Sequence, residues 1–238
     1  MAYLKTFSGS ILLRIENDQI KEFSSGIWFP ADTHFSHKNI LKYNTNRQKQ
    51  LGLDVADENM LAKHDSELIK LWNSTVKKTD TVYILGDFSF ASVDETRKIL
   101  EKLNGKKHLI IGNHDGSCKS LTNYFESTSQ IKEITFKKTV FPFLDEHMHC
   151  VLCHFPMVAW NRRMHGSVML HGHTHGSVCE LNKKSEELRL DIGLDSQLAQ
   201  GNLVSLEQVY RFIKNEVAKG KSFKEHVEYL TDKTGFRA

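Results

Sequence analysis

The chain has 238 residues, of which 39% are hydrophobic, and a formal net charge of +3 at pH 7. This length suits one domain, because single domains of mixed type often extend to about 250 residues. No segment approaches the roughly 18 consecutive apolar residues of a membrane-spanning helix, and so small a charge gives no reason to expect a membrane or a long nucleic acid as a partner.

The first half of the chain alternates strand and helix patterns. A hairpin is predicted between Ser10 and Ile20, turning at Asn17-Asp18. Short apolar runs predict buried strands at 26–30, 81–85 and 108–111. Apolar residues at three- and four-residue spacing predict helices at 57–72 and 93–103, the second beginning near Ser92 or Asp94. Strands that alternate with helices indicate parallel strands with helices outside the sheet.

The second half of the chain predicts shorter strands and then helices. The strands are expected at 131–140, 149–153, 167–170, 177–181 and 187–192. A helix is predicted from Ser205 to Val217, and the tail from Lys219 is either a polar helix or partly disordered. The expected fold class is therefore α/β (α+β), a single domain over residues 1–238 with two sheets packed on each other.

Metal-binding side chains follow the ends of these apolar runs. They occur in Asp32-Thr33-His34, Gly86-Asp87, Gly112-Asn113-His114-Asp115, His154 and Gly172-His173-Thr174-His175. Ligands bind beyond the carboxyl ends of strands in open α/β sheets, so Asp32, Asp87 and Asn113 should lie close together. Carboxylates that converge in an apolar setting repel one another unless a cation lies among them. The seven oxygen and imidazole ligands are enough for two metal ions that share a carboxylate.

The kinds of ligand indicate which metal would bind. Imidazole, carboxylate and amide groups together favour Mn, with Fe, Ni, Zn or Mg as alternatives. His114 is not needed as a ligand, and a free imidazole beside a dinuclear site can protonate a leaving oxygen, which contributes about 10²–10⁴ in rate. Asp115 would orient the ring of His114 and hold its proton.

The order of these motifs resembles that of the calcineurin-like metallophosphoesterases. Asp-x-His, Gly-Asp, Gly-Asn-His-Asp, a single His after a strand and Gly-His-x-His follow one another from Asp32 to His175. The strings PADTHFSHKNIL, VYILGDFSF and LHGHTHGSV resemble a small bacterial and phage branch of that superfamily. The resemblance implies a two-sheet β-sandwich flanked by helices, with metals at the carboxyl ends of the central strands.

The resemblance also implies a role for each site residue. One metal would be held by Asp32, His34 and His175, and the other by Asn113, His154 and His173. Asp87 would bridge the two ions, and His114 would protonate the leaving group or stabilise the transition state. An Asp at the position of Asp195 would pack behind the site.

The expected activity is hydrolysis of a phosphoester bond by a metal-activated hydroxide. The enzyme would be a phosphodiesterase or phosphatase that acts on a small phosphorylated substrate such as a nucleotide. A non-catalytic metal-binding scaffold on the same fold is an alternative, although a scaffold could lose ligands and here all seven are present together with His114. A nuclease is a further alternative, which the near-neutral charge does not favour.

Substrate contacts are predicted in the loops at 35–50, 88–95 and 155–168. Paired arginines can bind a phosphate through their forked donors, but a solvated surface loop would have the same sequence. The candidates are His37, Arg162, Arg163 and His165, with Arg47 as a further anion contact.

Four cysteines are present, and Cys150-x-x-Cys153 is the only close pair. No second pair of ligands at matching spacing supports a zinc site there. The two side chains would also point to opposite faces of a strand. The start of the sequence lacks a signal-peptide pattern, so we expect a cytoplasmic protein with buried free thiols.

Overall fold

The computed structural model describes residues 3–4, 12–16, 19–23, 26–43, 45–54 and 57–234. Its strands are β1 Tyr3–Leu4, β2 Leu12–Glu16, β3 Gln19–Phe23, β4 Ile27–Trp28, β5 Thr81–Ile84, β6 Lys106–Ile110, β7 Ser127–Ser129, β8 Ile131–Phe136, β9 Met148–Cys153, β10 Val168–His171 and β11 Arg189–Asp191. Its helices are α1 Ile40–Tyr43, α2 Thr45–Gln50, α3 Met60–Thr75, α4 Val93–Lys102, α5 Gly116–Lys119, α6 Cys179–Ser185, α7 Leu206–Phe212 and α8 Phe223–Thr234. Short 3-10 turns lie at Thr122–Tyr124 and Arg163–His165, and a π-helical turn at Ile213–Val217 continues α7.

The predicted N-terminal hairpin is confirmed by the pairing of its strands. Strand β2 runs antiparallel to β3, with Glu16 opposite Gln19, and β1 adds to the other edge of β2. The turn at 17–18 lies outside the described residues.

The first large sheet contains the parallel strands that the alternating pattern predicted. Its order is β4-β5-β6-β7, and every neighbouring pair is parallel. Helix α4 begins at Ser92 because the Ser92 hydroxyl accepts a hydrogen bond from the Glu95 amide while the Glu95 carboxylate accepts one from the Ser92 amide. Leu68 and Trp72 of α3 pack with Val82 of β5 in one buried cluster.

The second large sheet has the order β11-β10-β9-β8, in which only the β8–β9 pair is antiparallel. Strands β8 to β11 overlap the four segments predicted at 131–140, 149–153, 167–170 and 187–192. The helix predicted at 205–217 is confirmed, although its last turn is π-helical. The tail forms α8, so the helical alternative is the correct one for residues 223–234.

The strand predicted at 177–181 is wrong, because this segment enters helix α6. Its alternation of apolar and polar residues does not match its burial, since Leu181 is largely exposed. The backbone turns helical because the Cys179 amide donates to the Gly176 carbonyl and the Asn182 amide to the Val178 carbonyl. Asn182 is then buried and donates from its side chain to the ring of His171.

The two large sheets pack face to face, as predicted. Tyr83 and Ile110 of the first sheet share a buried cluster with Cys150 and Leu170 of the second. Cys153 lies in a separate cluster, on the other face of β9. The expectation of free thiols is confirmed for Cys150 and Cys153. In the described part of the chain, none of the helices is long and apolar enough to cross a membrane.

Candidate metal centre

The ends of both sheets meet at one edge of the molecule. The loop after β4 joins the loop after β5 through the Asp32 amide, which donates to the Gly86 carbonyl at 3.1 Å. The Leu194 amide, beyond β11, donates to the Ala31 carbonyl at 3.1 Å and so links the second sheet to the first. The carboxyl ends of strands from two sheets therefore bring the sequence motifs together.

A first triad consists of Asp32, His34 and His175, with one ligand atom from each lying within 4.8 Å of the others. The Nε2 atoms of His34 and His175 are 3.2 Å apart. The Nδ1 of His175 donates to Asp195 at 2.8 Å, so the Nε2 of the neutral ring keeps its lone pair. This triad could hold one metal ion with two imidazole nitrogens and a carboxylate oxygen.

A second triad consists of Asp87, His154 and His173, again with ligand atoms within 4.8 Å of one another. The Nδ1 of His154 donates to the Leu85 carbonyl at 2.8 Å, which fixes the tautomer of the ring. Its Nε2 is 3.0 Å from the Asn113 side-chain oxygen and 3.5 Å from an Asp87 oxygen. Several lone pairs therefore face one another, and a proton or a metal ion would neutralise them.

Asp87 belongs to the second triad but also faces the first. Its Oδ1 faces His154, while its Oδ2 is 3.9 Å from the Nε2 of His34. The His114 amide donates to Oδ1 at 2.9 Å and helps to hold the carboxylate in this position. Its two oxygens therefore face one histidine of each triad.

The pKa values of the first triad reflect its burial. Burial raises the pKa of Asp32 to about 7, although His175 and His154 act in the opposite direction. Burial, followed by the charges of Arg47 and His175, lowers the pKa of His34 to about 2. The His34 ring is therefore neutral at physiological pH, which is the form that binds metals.

Asp87 and His154 stabilise each other's charged forms. Burial alone would raise the pKa of Asp87, but the hydrogen bond and charge of His154 lower it to about 2. Burial likewise opposes the charge on His154, yet the interaction with Asp87 raises its pKa. A cation bound here would take the place of a proton on the Nε2 of His154.

Five candidate ligands adopt backbone conformations that non-glycine residues rarely adopt. Asp32, His34, Asp87, His173 and His175 have φ angles between 46° and 68°. Such left-handed conformations are uncommon and tend to cluster at functional sites, where surrounding structure enforces them.

The glycine before Asp87 is required by close packing as well as by its φ of 81°. A Cβ atom on Gly86 would lie 2.5 Å from the Nδ1 of His154. The Gly-Asp motif therefore allows the loop after β5 to approach the imidazole of a different sheet.

A buried ion pair between Arg47 and Asp195 supports the first triad. The sequence placed Asp195 behind the site but did not predict its pairing with Arg47. Arg47 is completely buried and donates to the Asp195 carboxylate at 2.8 and 3.1 Å. It also donates to the carbonyls of Asp32 and Thr33. Arg47 is thus a structural residue, and its prediction as an anion contact is corrected. Asp195 packs behind the site as expected, where it orients His175.

A second supporting carboxylate, Asp191, was missed as a site residue. It accepts hydrogen bonds from the Thr174 hydroxyl and from the amides of Gly176 and Gly193. These bonds hold the loop that carries His173 and His175 in place. Its position at the end of the strand β11 was the signal in the sequence that could have identified it.

The role predicted for Asp115 is corrected by its contacts. Its carboxylate accepts hydrogen bonds from the amides of Asp87, Phe88 and Gly112. Both oxygens are therefore used by backbone donors, and no hydrogen bond to the His114 ring is found among the described residues. Asp115 joins the loops after β5 and β6 and so positions Asp87 and Asn113.

His114 and His37 lie at the rim beside Phe90. The exposed ring of His114 is centred 4.6 Å from the ring of Phe90 and 6.3 Å from that of His34. The half-buried ring of His37 stacks on Phe90 at 3.9 Å. Burial, followed by the charges of His114 and Arg47, lowers the pKa of His37. The structure thus brings His37 to the site, as predicted.

The other predicted substrate contacts do not reach the site. Arg162, Arg163 and His165 precede β10, and the amide of Ser167 donates to the Arg162 carbonyl. Arg163 is paired with Glu187, just before β11. These residues therefore lie at the amino end of parallel strands whose carboxyl ends form the site, and their prediction as substrate contacts is corrected.

Comparison with known proteins places the chain among phage and archaeal relatives. No protein-family model matches it. It is 29% identical over 197 residues to an uncharacterized protein of Methanocaldococcus jannaschii, covering 82% of this chain and 93% of that relative. The crystal structure of a protein of unknown function from Aquifex aeolicus has a TM-score of 0.56 and 22% identity, covering 79% of this chain and all of that one, which shows a shared fold.

The Gene 66 proteins of two mycobacteriophages match most of the chain. That of phage D29 is 28% identical over 218 residues, covering 82% of this chain and 99% of the relative. That of phage L5 is 30% identical over 214 residues, covering 80% of this chain and 95% of the relative. The chain therefore belongs to the family of the mycobacteriophage L5 Gene 66 protein.

Proposed function

We propose that this protein is a dinuclear metal-dependent phosphohydrolase with the calcineurin-like metallophosphoesterase fold. The observation that carries the proposal is the arrangement of two adjacent ligand triads, in which Asp87 of the second triad faces both His154 and His34 of the first triad. The ordered motifs from Asp32 to His175 support the same function. Asn113, beside His154, completes the seven-ligand set.

The donor chemistry of the cluster fits divalent metal ions. The rings of His34 and His175 place two nitrogens 3.2 Å apart, and the Nε2 of His154 faces two oxygen atoms. Imidazole together with carboxylate and amide oxygens suits Mn best among the common divalent ions. Fe, Ni, Zn and Mg are alternatives that metal analysis distinguishes.

The surrounding residues fix the ligands for such a role. Two divalent ions, when bound, would lower the pKa of a water molecule and neutralise the oxygens of a phosphate. Asp195 accepts a hydrogen bond from the Nδ1 of His175, and the Leu85 carbonyl accepts one from the Nδ1 of His154. In both rings the other nitrogen, Nε2, therefore faces the cluster. The exposed ring of His114 is available to give a proton to the leaving oxygen.

Metal analysis combined with a hydrolysis screen tests the proposal. Purified protein is stripped with a chelator, reloaded with Mn, and freed of excess metal before the bound ions are counted. We expect two ions per chain and Mn-dependent hydrolysis of bis(p-nitrophenyl) phosphate. Full activity after exhaustive chelation would contradict the proposal, and two bound ions without hydrolysis of any ester would favour a metal-binding scaffold.

Asp87→Asn is the sharpest variant for the bridge. An amide supplies less charge to both ions at once, so we expect loss of turnover and weaker binding of both metals. The control is Asp94→Asn, which changes an exposed carboxylate on α4. Mass spectrometry of the bound metals decides the outcome, because two tightly held ions in Asp87→Asn would exclude the bridging role.

A further inference from the structure

Two exposed phenylalanine rings border the metal-binding cluster. Phe90 is 37% exposed, and its ring centre lies 5.1 Å from that of His34. Phe155 is 44% exposed, and its ring centre lies 4.9 Å from that of His154 and 4.8 Å from that of His173. One aromatic ring therefore borders each triad.

The position of these rings is informative because the cluster itself is polar. Large exposed apolar groups at the rim of a polar site commonly form contacts with a ligand. Phe90 is held in place by stacking on His37 at 3.9 Å. Phe155 directly follows the ligand His154 in the loop after β9, so its backbone is fixed beside the second triad.

A phosphorus atom held in this cluster would have the ring of Phe90 on one side and that of Phe155 on the other. His114 lies 4.6 Å from Phe90, so a leaving group that takes its proton from His114 would lie beside Phe90. A monoester has no second organic group to place near Phe155. A diester has one, and that group stays attached to phosphorus after hydrolysis.

Resting on the proposed function, we infer that the site acts on phosphodiesters and that Phe155 stacks against a planar ring of the group retained on phosphorus, as in a nucleotide. In the reaction, the oxygen of water bonds to phosphorus, the ester bond to the leaving oxygen breaks, and one proton of the water passes to solvent, from which His114 later regains the proton that it gives up. The leaving oxygen takes a proton from His114, and the products are an alcohol and a phosphate monoester. Stacking between a base and an aromatic side chain is sequence-tolerant, so the identity of the base matters little.

Two diesters with one leaving group test this inference. The substrates are the p-nitrophenyl ester of thymidine 5′-monophosphate and methyl p-nitrophenyl phosphate, and the Mn-loaded variants are Phe155→Ala and Val158→Ala. Val158 is 83% exposed in the same loop and serves as the matched control. We expect Phe155→Ala to lower kcat/KM for the thymidine ester by about 5- to 100-fold, with the methyl ester within about twofold and the control unchanged for both.

A binding measurement separates this inference from the proposed function. Calorimetry with thymidine 5′-monophosphate should show the same loss of affinity in Phe155→Ala, while methyl phosphate should bind equally to both proteins. Equal changes for the two diesters, or unchanged thymidine 5′-monophosphate affinity, would overturn the role of Phe155. If the wild-type protein hydrolyses monoesters but neither diester, the diester inference fails while the proposed function stands. If it hydrolyses no ester at all, the phosphohydrolase proposal fails, and nucleotide binding still decides whether Phe155 contacts a planar ring.

Discussion

At the residue scale, the ring of His114 is exposed, whereas its backbone is held by a hydrogen bond. Its amide donates to Asp87, whereas its ring lies beside those of Phe90 and His34. We therefore expect His114→Ala to keep both metals. Hydrolysis of an alkyl ester should fall by about 10²–10⁴, but that of a p-nitrophenyl ester much less, because a nitrophenolate scarcely needs a proton.

Steady-state kinetics on the two ester types measure this effect in His114→Ala. His165→Ala is the matched control, since His165 is an exposed histidine at the opposite end of β10. An equal decrease for both esters would assign His114 an electrostatic role instead of proton donation. Loss of a metal would place it among the ligands.

Protonation of Asp32 makes metal binding depend on pH. Its pKa of about 7, raised by burial, means that its carboxyl group carries a proton below pH 7. His34, with a pKa of about 2, contributes no proton at these pH values. Mn must displace the Asp32 proton, so its affinity should weaken as pH falls below 7, by about tenfold for each pH unit and each proton displaced.

Calorimetry at pH 6, 7 and 8 measures this dependence. Repeating the titration in buffers of different ionisation enthalpy counts the protons that Mn releases. The count should be larger at pH 6 than at pH 8, because Asp32 is mostly ionised at the higher pH. Constant affinity and no proton release across this range would show that Asp32 is already ionised.

At the scale of the elements, a buried ion pair helps to attach helix α2 to the site. Arg47 of α2 pairs with Asp195 in the interior, and removing one partner of such a pair leaves the other charge buried. Arg47→Met should therefore lower the free energy of unfolding by about 3–5 kcal/mol. Adding Asp195→Asn to this variant should recover part of the loss, because the uncompensated charge is then removed.

Urea unfolding of the metal-free variants measures these energies. Arg211→Met is the control, because Arg211 forms an exposed pair with Glu207 within one turn of helix α7. Its loss should cost no more than about 1 kcal/mol. Similar losses for Arg47→Met and Arg211→Met would show that the buried pair contributes no more than a surface pair.

The elements differ in how far the sequence could predict them. Strand β5 and helix α4 were predictable because an apolar run and a Ser92–Glu95 capping pair are local signals. Arg47 and Asp195 are 148 residues apart, and no local pattern connects them. Helices α1 and α2 have only four and six residues, too few for an apolar period to be recognised. The ligands were found because each ligand motif lies in the loop that follows a strand.

At the scale of the whole molecule, the candidate site joins the two large sheets. Asp32 and Asp87 follow strands of the first sheet, and His154 and His175 follow strands of the second. Each triad combines residues from both sheets, since Asp32 is grouped with His175, and Asp87 with His154. Binding at either triad should therefore stabilise the packing of one sheet on the other.

Metal binding is accordingly expected to stabilise the entire domain. An ion at 100 times its Kd adds about 2.7 kcal/mol to the free energy of unfolding. For a domain of this size that corresponds to a rise in Tm of about 5–10 °C for each ion. Thermal unfolding of chelator-treated and Mn-loaded protein measures the shift, and Asp87→Asn should show a smaller one.

Hydrogen exchange under the same conditions should slow at the carboxyl ends of both β5 and β9, because ligands of both triads follow these strands. Protection confined to one sheet would contradict a centre shared between them.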